Sequence, residues 1–585
     1  MEDLQARRHT LAHILALALQ TTYGAKVQFG TGPATDTGFY YDVHFDGLDF
    51  KIDDLPQLQV EMEKIIQQDL EVKHFTKPIA EALVWVDDAG QPFKAELIRD
   101  LAAAGEEEVS FYQIGDFIDL CKGPHIKRTG EIPLGSFALT KIGGAYWRAD
   151  ESREQMTRIT GLAFATAEKL ADYQAMLNEA DKRDHRKLGR ELDLFTFSPL
   201  VGAGLPLFTP RGAVLRETLG NYSLSLRAAE GFDKVWTPHI TKLDLYKKSG
   251  HFAKFGDELF MVRSQVNGEE FAMKPMNCPH HAQIYASRPR SYRELPVRYM
   301  ECTTDYRDEK TGELGGLSRV RSLTQDDSHI FCRQSQIKAE IAKLIGIITE
   351  LYSTVGMGKL RARLSYRDDS DAYLGDPALW EMSQAQIKDA AIENKLDYFE
   401  AAGEAAFYGP KIDFMAEDAI GREHQVATVQ LDFVQPARFE LEFTNEEGKK
   451  EQPVMIHHAT LGSIERFLSV FIEHTAGRFP FWCAPEQVRV ITVNEAAADY
   501  VNQIAEILRG LTLEQPLRHN DLRFSTDSAK DNLSKKIKRA VELKIPAIIV
   551  VGSRDAEAGQ VVVRTYDTEQ TIKLDKLADF LKGIK

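Results

Sequence analysis

The stretch DYRDEKTGELGGLSRVRSLTQDDSHIF, residues 305–331, carries the strongest prediction of the fold. Arg307 and Glu309 precede a glycine-rich loop, and Arg319 and Asp327 follow it. The guanidinium groups of the two arginines have a shape that suits phosphate and carboxylate. Taken by itself, the pattern also fits a salt-bridged hairpin, so the stretch needs support from other parts of the chain.

That support comes from two further strings in a fixed order. GFDKVWTP places Pro238 before the stretch, and VMIHHATLGSIERFL places Arg466 after it. Together the three strings resemble the signature motifs of class II aminoacyl-tRNA synthetases, and the resemblance covers nearly the whole chain. It implies a catalytic core built on an antiparallel sheet and a homodimer interface around Pro238.

The resemblance also implies roles in ATP chemistry. Arg307 is expected to hold the α-phosphate and the amino-acid carboxylate, Glu309 to accept from the adenine amino group, and Arg466 to pack on adenine. Catalysis of this kind depends on positioning and charge neutralisation. ATP is then a substrate, Mg²⁺ should assist, and Arg319 and Ser463 are further expected substrate contacts.

Length and composition fit a large multidomain enzyme. The chain has 585 residues, of which 43% are hydrophobic and 27% are charged, as in ordinary globular proteins. The net charge of -16 argues against a chain coated in nucleic acid, so any RNA contact must use local basic patches and DNA is not an expected partner.

The compartment is inferred from the cysteines and the amino terminus. Five widely spaced cysteines do not form a disulfide framework, which favours a reducing cytoplasm. Arg7 and Arg8 precede the apolar run LAHILALAL, as in a signal peptide. Acidic residues before the arginines and His13 within the run oppose that interpretation, and no uncharged run approaches the roughly 18 residues of a membrane span.

The predicted fold class is a multidomain α+β protein. Residues 1–150 form an α+β domain that begins with an amphipathic helix from Thr10 to about Gln20. Residues 151–190 form a helical connector, with helical periodicity expected from about Ser152. Residues 191–480 form the largest domain, the class II core. In residues 481–585 strands alternate with helices, which predicts a compact α/β domain.

Three separated residues could bind a metal: Cys278 in MKPMNCPHH, His329 in QDDSH and His457 in VMIHH. Their spacing is no metal motif, and each alone is more often a buried thiol or a core histidine. The sequence resembles the threonyl-tRNA synthetase family, in which ligands at these positions hold one Zn²⁺ per subunit with coordination open to substrate. Such an ion rejects valine, which an ordinary pocket distinguishes from threonine by only about 10²-fold.

The same resemblance supplies the rest of the amino-acid site. Asp327 is expected to accept from the threonine hydroxyl, and His251, in KSGH, to help activate the terminal ribose hydroxyl of tRNA(Thr). The expected wall of the amino-acid and nucleotide site comprises Met276, Gln325, Tyr408, Lys411 and Gln425.

An editing site is expected because a metal that recognises a hydroxyl cannot easily exclude serine. His9 and His13 are spaced four apart on the first helix, and Cys121 and His125 are spaced four apart in a loop. The spacing also suits zinc, and the simpler interpretation is a histidine pair beside a thiol. The resemblance instead implies hydrolysis of Ser-tRNA by positioned water, in a site that includes His9, His13, Tyr40, Lys94, Asp119, Cys121 and His125.

The carboxy-terminal domain resembles the anticodon-binding domain of this synthetase subclass, and some residues depart from the family pattern. His280 and His458 flank metal positions, Leu323 replaces an aromatic wall of the adenine slot, and Ala529 and Asp531 replace expected anticodon contacts. The small ubiquitin-like domain usual at the amino terminus is also expected to be missing. Alternatives are a prolyl or seryl class II enzyme, or a non-catalytic paralogue that binds tRNA to regulate.

Overall fold

The computed structural model describes residues 2–370, 372–513, 516 and 520–584, without the side chains of Glu2 and Asn520. The chain divides into two compact units, residues 1–179 and 180–585. Among the described residues no helix combines the length and the apolar character needed to cross a bilayer. The predicted multidomain α+β fold class is confirmed.

The first unit contains two antiparallel sheets and its own hydrophobic core. In spatial order the strands of the larger sheet are Val27–Phe29, Gly38–Phe45, Gln155–Ala163 and Phe137–Tyr146. Those of the smaller sheet are Val72–Pro78, Glu108–Ile114 and Phe117–Leu120. The helices are Glu2–Tyr23, Leu55–Gln67, Ile79–Asp88, Pro92–Ala103 and the start of Ala167–Arg183.

Two sequence predictions in this unit need correction. The first helix is longer than the predicted segment from Thr10 to Gln20, since it spans Glu2–Tyr23. The helical connector expected from about Ser152 is wrong at its start, because Gln155–Ala163 is a strand. It pairs with a strand on each side, and pairing within a sheet overrides local helical preference.

The second unit is built around an eight-stranded sheet. In spatial order its strands are Asp233–Lys234, Val297–Tyr306, Ser322–Cys332, Val454–Ser463, Glu423–Asp432, Lys411–Glu417, Leu360–Tyr366 and Tyr398–Ala402. The pairs within the sheet are antiparallel, except for the pair at each edge, which is parallel. This is the antiparallel core that the motif resemblance implies.

Helices cover this sheet and enclose the largest hydrophobic core. Ile337–Thr354 and Ile464–Thr475 supply many of its buried residues. The other helices of the domain are His185–Glu191, Pro210–Ala229, Leu243–Ser249, His251–Phe255, Cys278–Ala286, Pro377–Glu393 and Val434–Arg438. Smaller sheets pair Ile240–Lys242, Glu270–Met273 and Met261–Arg263, then Phe195–Thr196 with Leu207–Phe208, and Phe443–Thr444 with Lys450–Glu451.

The carboxy-terminal part contains a five-stranded sheet with its own core. Its strands in spatial order are Phe524–Asp527, Val488–Thr492, Ala547–Val551, Gln560–Arg564 and Glu569–Lys573, the first three parallel and the rest antiparallel. Its helices are Ala498–Arg509, Leu533–Glu542, Ser553–Ala558 and Leu577–Lys582, and Thr512–Leu513 pairs with Asn520–Asp521. The helix Ser553–Ala558 and the strand Glu569–Lys573 were not predicted.

Candidate functional site

Strand register brings two of the three expected metal ligands together. His329 on Ser322–Cys332 pairs directly with His457 on Val454–Ser463. Directly paired residues in an antiparallel sheet have β-carbons about 5 Å apart. Cys278 begins the helix Cys278–Ala286, which packs on the first of these strands.

Cys278, His329 and His457 form a compact buried triad. One ligand atom from each residue lies within 4.8 Å of the other two. Nε2 of His329 lies 3.0 Å from Nδ1 of His457. Burial raises the pKa of the Cys278 thiol, and the nearby carboxylate of Asp327 raises it further. Burial also lowers the pKa of His329, so its imidazole is neutral at pH 7.

The outer nitrogens of the two imidazoles have partners that the sequence analysis missed. Nε2 of His457 lies 2.8 Å from Oδ2 of Asp432. Nδ1 of His329 lies 2.8 Å from Nδ1 of His281, whose own Nε2 lies 3.4 Å from Oε2 of Glu301. His281 lies within the string quoted for Cys278, but nothing in the string marks it as a neighbour of His329.

Asp327 lies beside the triad in a fixed position. Its Oδ2 accepts from the Asn277 amide at 3.0 Å, and its backbone oxygen accepts from Nη1 of Arg227 at 3.0 Å. Burial raises the pKa of Asp327, while neighbouring His281 and the Asn277 hydrogen bond lower it in part. The carboxyl group is therefore close enough to the triad to contact a ligand bound there.

His251 lies at the first position of its helix, with Nε2 3.8 Å from the Cys278 sulfur. Its Nδ1 lies 2.7 Å from Oγ of Ser249, which donates its own proton to the Tyr246 carbonyl. The serine oxygen therefore accepts from Nδ1, and Nε2 presents its lone pair to the Cys278 thiol. Burial lowers the pKa of His251 to about 3, which keeps the ring neutral.

One wall of the site is organised by the buried carboxylate of Asp413, another residue that the sequence analysis missed. Its oxygens accept from Nζ of Lys411 at 2.8 Å and from Nε2 of Gln425 at 2.7 Å. Tyr408 stacks on His457, and Met276 packs at the edge of the core cluster that contains Cys278. Tyr408 and Met276 therefore lie beside the triad, and Lys411 and Gln425 are held by Asp413.

A cavity of about 200 Å³ adjoins this wall. The residues that line it come from the second and third of the three signature strings, together with Gln425: Arg307, Leu323, Gln325, Ser463 and Arg466. Oγ of Ser463 caps the helix Ile464–Thr475 by accepting from the backbone N–H of Arg466 at 3.2 Å. Leu323 lies at the apolar end with Phe467 and Val470.

Glu309 lies on a neighbouring surface, in the loop between the strands Val297–Tyr306 and Ser322–Cys332. Its Oε2 accepts from Nε and Nη2 of Arg319, both at 2.7 Å. The two residues line a second cavity of about 590 Å³ with Phe252 and Phe255. The Arg319 side chain is 48% exposed, and its Nη2 also lies 2.6 Å from Oε2 of Glu313.

The first unit contains a second cluster, formed by His9, His13, Cys121 and His125. The Cys121 sulfur lies 3.3 Å from Nε2 of His9 and 3.2 Å from Nε2 of His125. Burial is the largest cause that raises the pKa of Cys121, to about 11. His13 is fully buried, and burial lowers its pKa well below the ordinary value. The four side chains therefore form a mainly neutral cluster.

Asp119 and Lys94 extend this cluster as an ion pair. Oδ2 of Asp119 lies 3.5 Å from Nε2 of His13 and accepts from the Tyr41 hydroxyl at 2.5 Å. Tyr41 was missed by the sequence analysis, which named its neighbour Tyr40. Side chains alternate along a strand, and Tyr40 lies instead against the guanidinium of Arg158, 3.9 Å from its ring.

A third group of possible ligands, Asp184, His185 and Glu473, is explained by structural hydrogen bonds. Asp184 caps its helix by accepting from the backbone N–H of Arg186. Nδ1 of His185 lies 2.7 Å from Glu473, and its Nε2 accepts from the backbone N–H of Leu317 at 3.1 Å. The group links the helix Ile464–Thr475, which contains Glu473, to the loop between the strands Val297–Tyr306 and Ser322–Cys332, which contains Leu317.

The residues that depart from the family pattern have distinct surroundings. His458 is buried, with Nδ1 2.9 Å from Oγ of Ser328, and burial lowers the pKa of His280 to about 4. Asp531 accepts from Lys535 at 2.9 Å, and the Ala529 backbone donates to Asp527.

Comparison with known families matches three parts of the chain. Residues 260–475 match the tRNA synthetase class II core domain (G, H, P, S and T), and residues 487–584 match an anticodon binding domain. Residues 109–160 match the threonyl and alanyl tRNA synthetase second additional domain. The class II core and the carboxy-terminal domain expected from sequence are both confirmed.

Several proteins named threonine–tRNA ligase are similar to this chain over most of its length. A threonine–tRNA ligase of Gloeobacter violaceus is 45% identical over 96% of this chain and 89% of its own length. One of Thermus thermophilus is 43% identical over 98% of this chain and 87% of its own. The RNA binding domain of threonyl-tRNA synthetase from Cryptosporidium parvum is similar in structure, with a TM-score of 0.63, 34% identity, and coverage of 68% of this chain and 98% of that one.

Proposed function

The chain belongs to the threonine–tRNA ligase family, and from this premise we propose how its sites divide the work. The enzyme activates threonine with ATP to threonyl-adenylate and pyrophosphate, transfers threonine to tRNA(Thr), and hydrolyses mischarged Ser-tRNA(Thr). The activation site is the triad with its adjoining cavity, and the editing site is the cluster around Cys121.

The observation that carries the proposal is the buried convergence of one thiol and two imidazoles from distant parts of the chain. This donor set suits Zn²⁺, which in catalytic sites takes three protein ligands and keeps one position open. Cys278, His329 and His457 would hold one ion per subunit. When bound, the ion would coordinate the amino and hydroxyl groups of threonine, which valine cannot match because it lacks the hydroxyl.

The protein groups around the triad orient the substrate. Asp327 accepts a hydrogen bond from the threonine hydroxyl, and its contact with Asn277 keeps it in place. Met276, Tyr408, Lys411 and Gln425 form the wall. His251 would help to activate the terminal ribose hydroxyl, with the lone pair on its Nε2 as the hydrogen-bond acceptor.

We assign the α-phosphate and adenine to the cavity of about 200 Å³, because Arg307 and Arg466 line it. Arg307 neutralises the charge that develops on the α-phosphate, and Arg466 packs on adenine. Gln325 and Ser463 line the same cavity. Glu309 exchanges its bond with Arg319 for the adenine amino group. Arg319, which also pairs with Glu313, then turns from both carboxylates to phosphate. Mg²⁺ bound with ATP would neutralise part of the phosphate charge.

Editing takes place at the second cluster. His9, His13, Cys121 and His125 surround a water molecule, which Asp119 and Lys94 help to position against the seryl ester. The Tyr41 hydroxyl donates to Asp119 and holds that carboxylate in place. Burial lowers the pKa of His13, so its imidazole stays neutral and a ring nitrogen can accept a hydrogen bond from this water.

The proposed assembly is a cytoplasmic homodimer whose interface is formed by the segment around Pro238. Trp236 and Ile240 flank Pro238, and their side chains are 74% and 48% exposed. An exposed apolar pair of this kind favours a protein partner. The carboxy-terminal domain binds the anticodon of tRNA(Thr), and no DNA or membrane partner is part of the proposal.

Amino-acid-dependent exchange of pyrophosphate into ATP tests the proposed specificity. Threonine should support rapid exchange, serine slower exchange and valine very little. Proline serves as the control for another class II specificity. Rapid exchange with proline or serine and none with threonine would reject the assignment, and no exchange with any amino acid would favour the non-catalytic paralogue.

A further inference from the structure

The hydrogen bonds of Asp432 fix the proton on His457. Oδ1 of this carboxylate accepts from the backbone N–H groups of Val434 and Gln435 at 2.7 and 2.9 Å. Its Oδ2 lies 2.8 Å from Nε2 of His457. A carboxylate only accepts hydrogen bonds, so Nε2 of His457 carries the hydrogen. The inward Nδ1 of the same ring therefore presents a lone pair.

On the other side of the triad, Glu301 fixes the proton on His281. Oε1 accepts from the backbone N–H of Thr237 at 2.7 Å, and Oε2 accepts from the hydroxyl of the same residue at 2.8 Å. Nε2 of His281 lies 3.4 Å from Oε2 and must be the donor to it. Nδ1 of His281 then carries the lone pair.

His329 must therefore donate from Nδ1 to Nδ1 of His281, across 2.8 Å. Its Nε2 is left as a lone pair, directed at the lone pair on Nδ1 of His457, 3.0 Å away. The nearest carboxylate oxygen, Oδ1 of Asp327, is 3.8 Å from this nitrogen, which is too far for a hydrogen bond. Two lone pairs at this separation repel each other unless a cation lies between them.

We propose that Glu301 and His281 are positioning residues that set the ring tautomer of His329 and hold its Nε2 ready for the metal ion. His457 is oriented by one carboxylate directly, whereas His329 is oriented by a carboxylate through an intervening imidazole. Hydrogen bonds of this kind to the outer nitrogen of a ligating histidine tune metal affinity by about 10- to 100-fold. The inference rests on the metal ion of the proposed function.

The substitution Glu301→Gln reverses the direction of the hydrogen bonds from residue 301 through His281 to His329, while the side chain keeps its shape. The new amide NH₂ faces His281 and donates to its Nε2, so His281 carries its hydrogen on Nδ1 and donates to His329. The hydrogen of His329 then lies on Nε2, pointing at the metal position. A purely structural role of Glu301, through its contacts with Thr237, makes no such prediction.

Zinc affinity, measured by competition with a chromogenic chelator, tests the positioning role of Glu301 and His281. Glu301→Gln should weaken zinc binding by about 10- to 100-fold. The matched control is Thr237→Val, which removes the hydroxyl that donates to Oε2 of Glu301. Its zinc affinity should stay within a factor of about three of wild type, because the carboxylate still accepts from the backbone N–H of residue 237 and from His281, so His329 keeps its tautomer.

His281→Leu is the second variant, because it interrupts the chain without touching the contacts between Glu301 and Thr237. It should also weaken zinc binding, and combining it with Glu301→Gln should cause no further loss, since both act through His329. Thermal unfolding of the metal-free proteins identifies any variant that fails to fold, and the folded variant then decides.

The possible outcomes separate the two proposals. If wild type binds zinc and both folded variants bind it with unchanged affinity, the positioning role is overturned while the metal site stands. Equal weakening by Thr237→Val would also overturn it, because general loosening would then explain the loss. If wild type binds no zinc, the metal site of the proposed function fails and the positioning role fails with it.

Discussion

Nζ of Lys411 lies 2.8 Å from Oδ2 of Asp413, a carboxylate with no exposed surface. The same carboxylate accepts from Arg363, Ser365, Gln425 and Thr428. Buried charges of this kind are stable only when all their partners are present. Asp413 is therefore the residue that holds Lys411 and Gln425 in the wall of the amino-acid site.

Replacing Asp413 with Asn should disorder that wall. The amide would turn donors towards the ammonium of Lys411 and the guanidinium of Arg363, and we expect kcat for aminoacylation to fall by about 10²-fold, in the range seen when a positioned electrostatic group is lost. Steady-state charging of tRNA measures the change. Asp389→Asn, at an exposed ion pair with Lys338, is the control and should leave kcat unchanged.

Arg307→Gln should lower the rate of threonine-dependent pyrophosphate exchange by about 10²- to 10³-fold, because the positive charge that stabilises the α-phosphate in the transition state is lost. Arg293→Gln is the matched control, since Arg293 is exposed and lies against Tyr292. A rate for Arg307→Gln within a few-fold of the control would contradict the assigned role.

The editing prediction concerns His13. His13→Ala should leave charging with threonine intact and let Ser-tRNA(Thr) accumulate, because the buried imidazole that helps to position the water is removed. Deacylation of preformed Ser-tRNA(Thr) measures the effect directly. His44→Ala, on the strand Gly38–Phe45 but outside the cluster, should deacylate like wild type. Unchanged deacylation by His13→Ala would remove the assignment.

A stability prediction concerns Arg227 and Asp326, which form an ion pair with no exposed surface on either side. Arg227→Met leaves the buried carboxylate uncompensated and should destabilise the fold by about 3–5 kcal/mol. Denaturant unfolding measures the loss. The double variant with Asp326→Asn should recover part of that stability, and a double variant less stable than Arg227→Met would contradict the ion-pair explanation.

The candidate site could be predicted in part because many of its residues lie in strings with a fixed order. Pro238, Arg307 and Arg466 indicated the class II core, and the structure brings Cys278, His329 and His457 together as the resemblance implied. The partners of those residues could not be predicted. His281, Glu301 and Asp432 become neighbours only through strand register and helix packing, which depend on contacts between distant segments.

Two local errors have physical causes. The strand Gln155–Ala163 lies in a charged segment with helical periodicity, and only its pairing with two neighbouring strands stabilises the extended form. In the string GFYYDV, alternation along a strand predicts that Tyr40 and Tyr41 point to opposite faces, but not which face meets Asp119. The structure shows that Tyr41 does.

The most direct test of the account is zinc analysis of wild type and Cys278→Ser, with exchange rates for threonine and valine measured on the same samples. About one zinc per chain is expected in wild type from the ligand count, and the variant should lose both the metal and threonine activation. A metal-free wild type that still discriminates fully against valine would contradict the account.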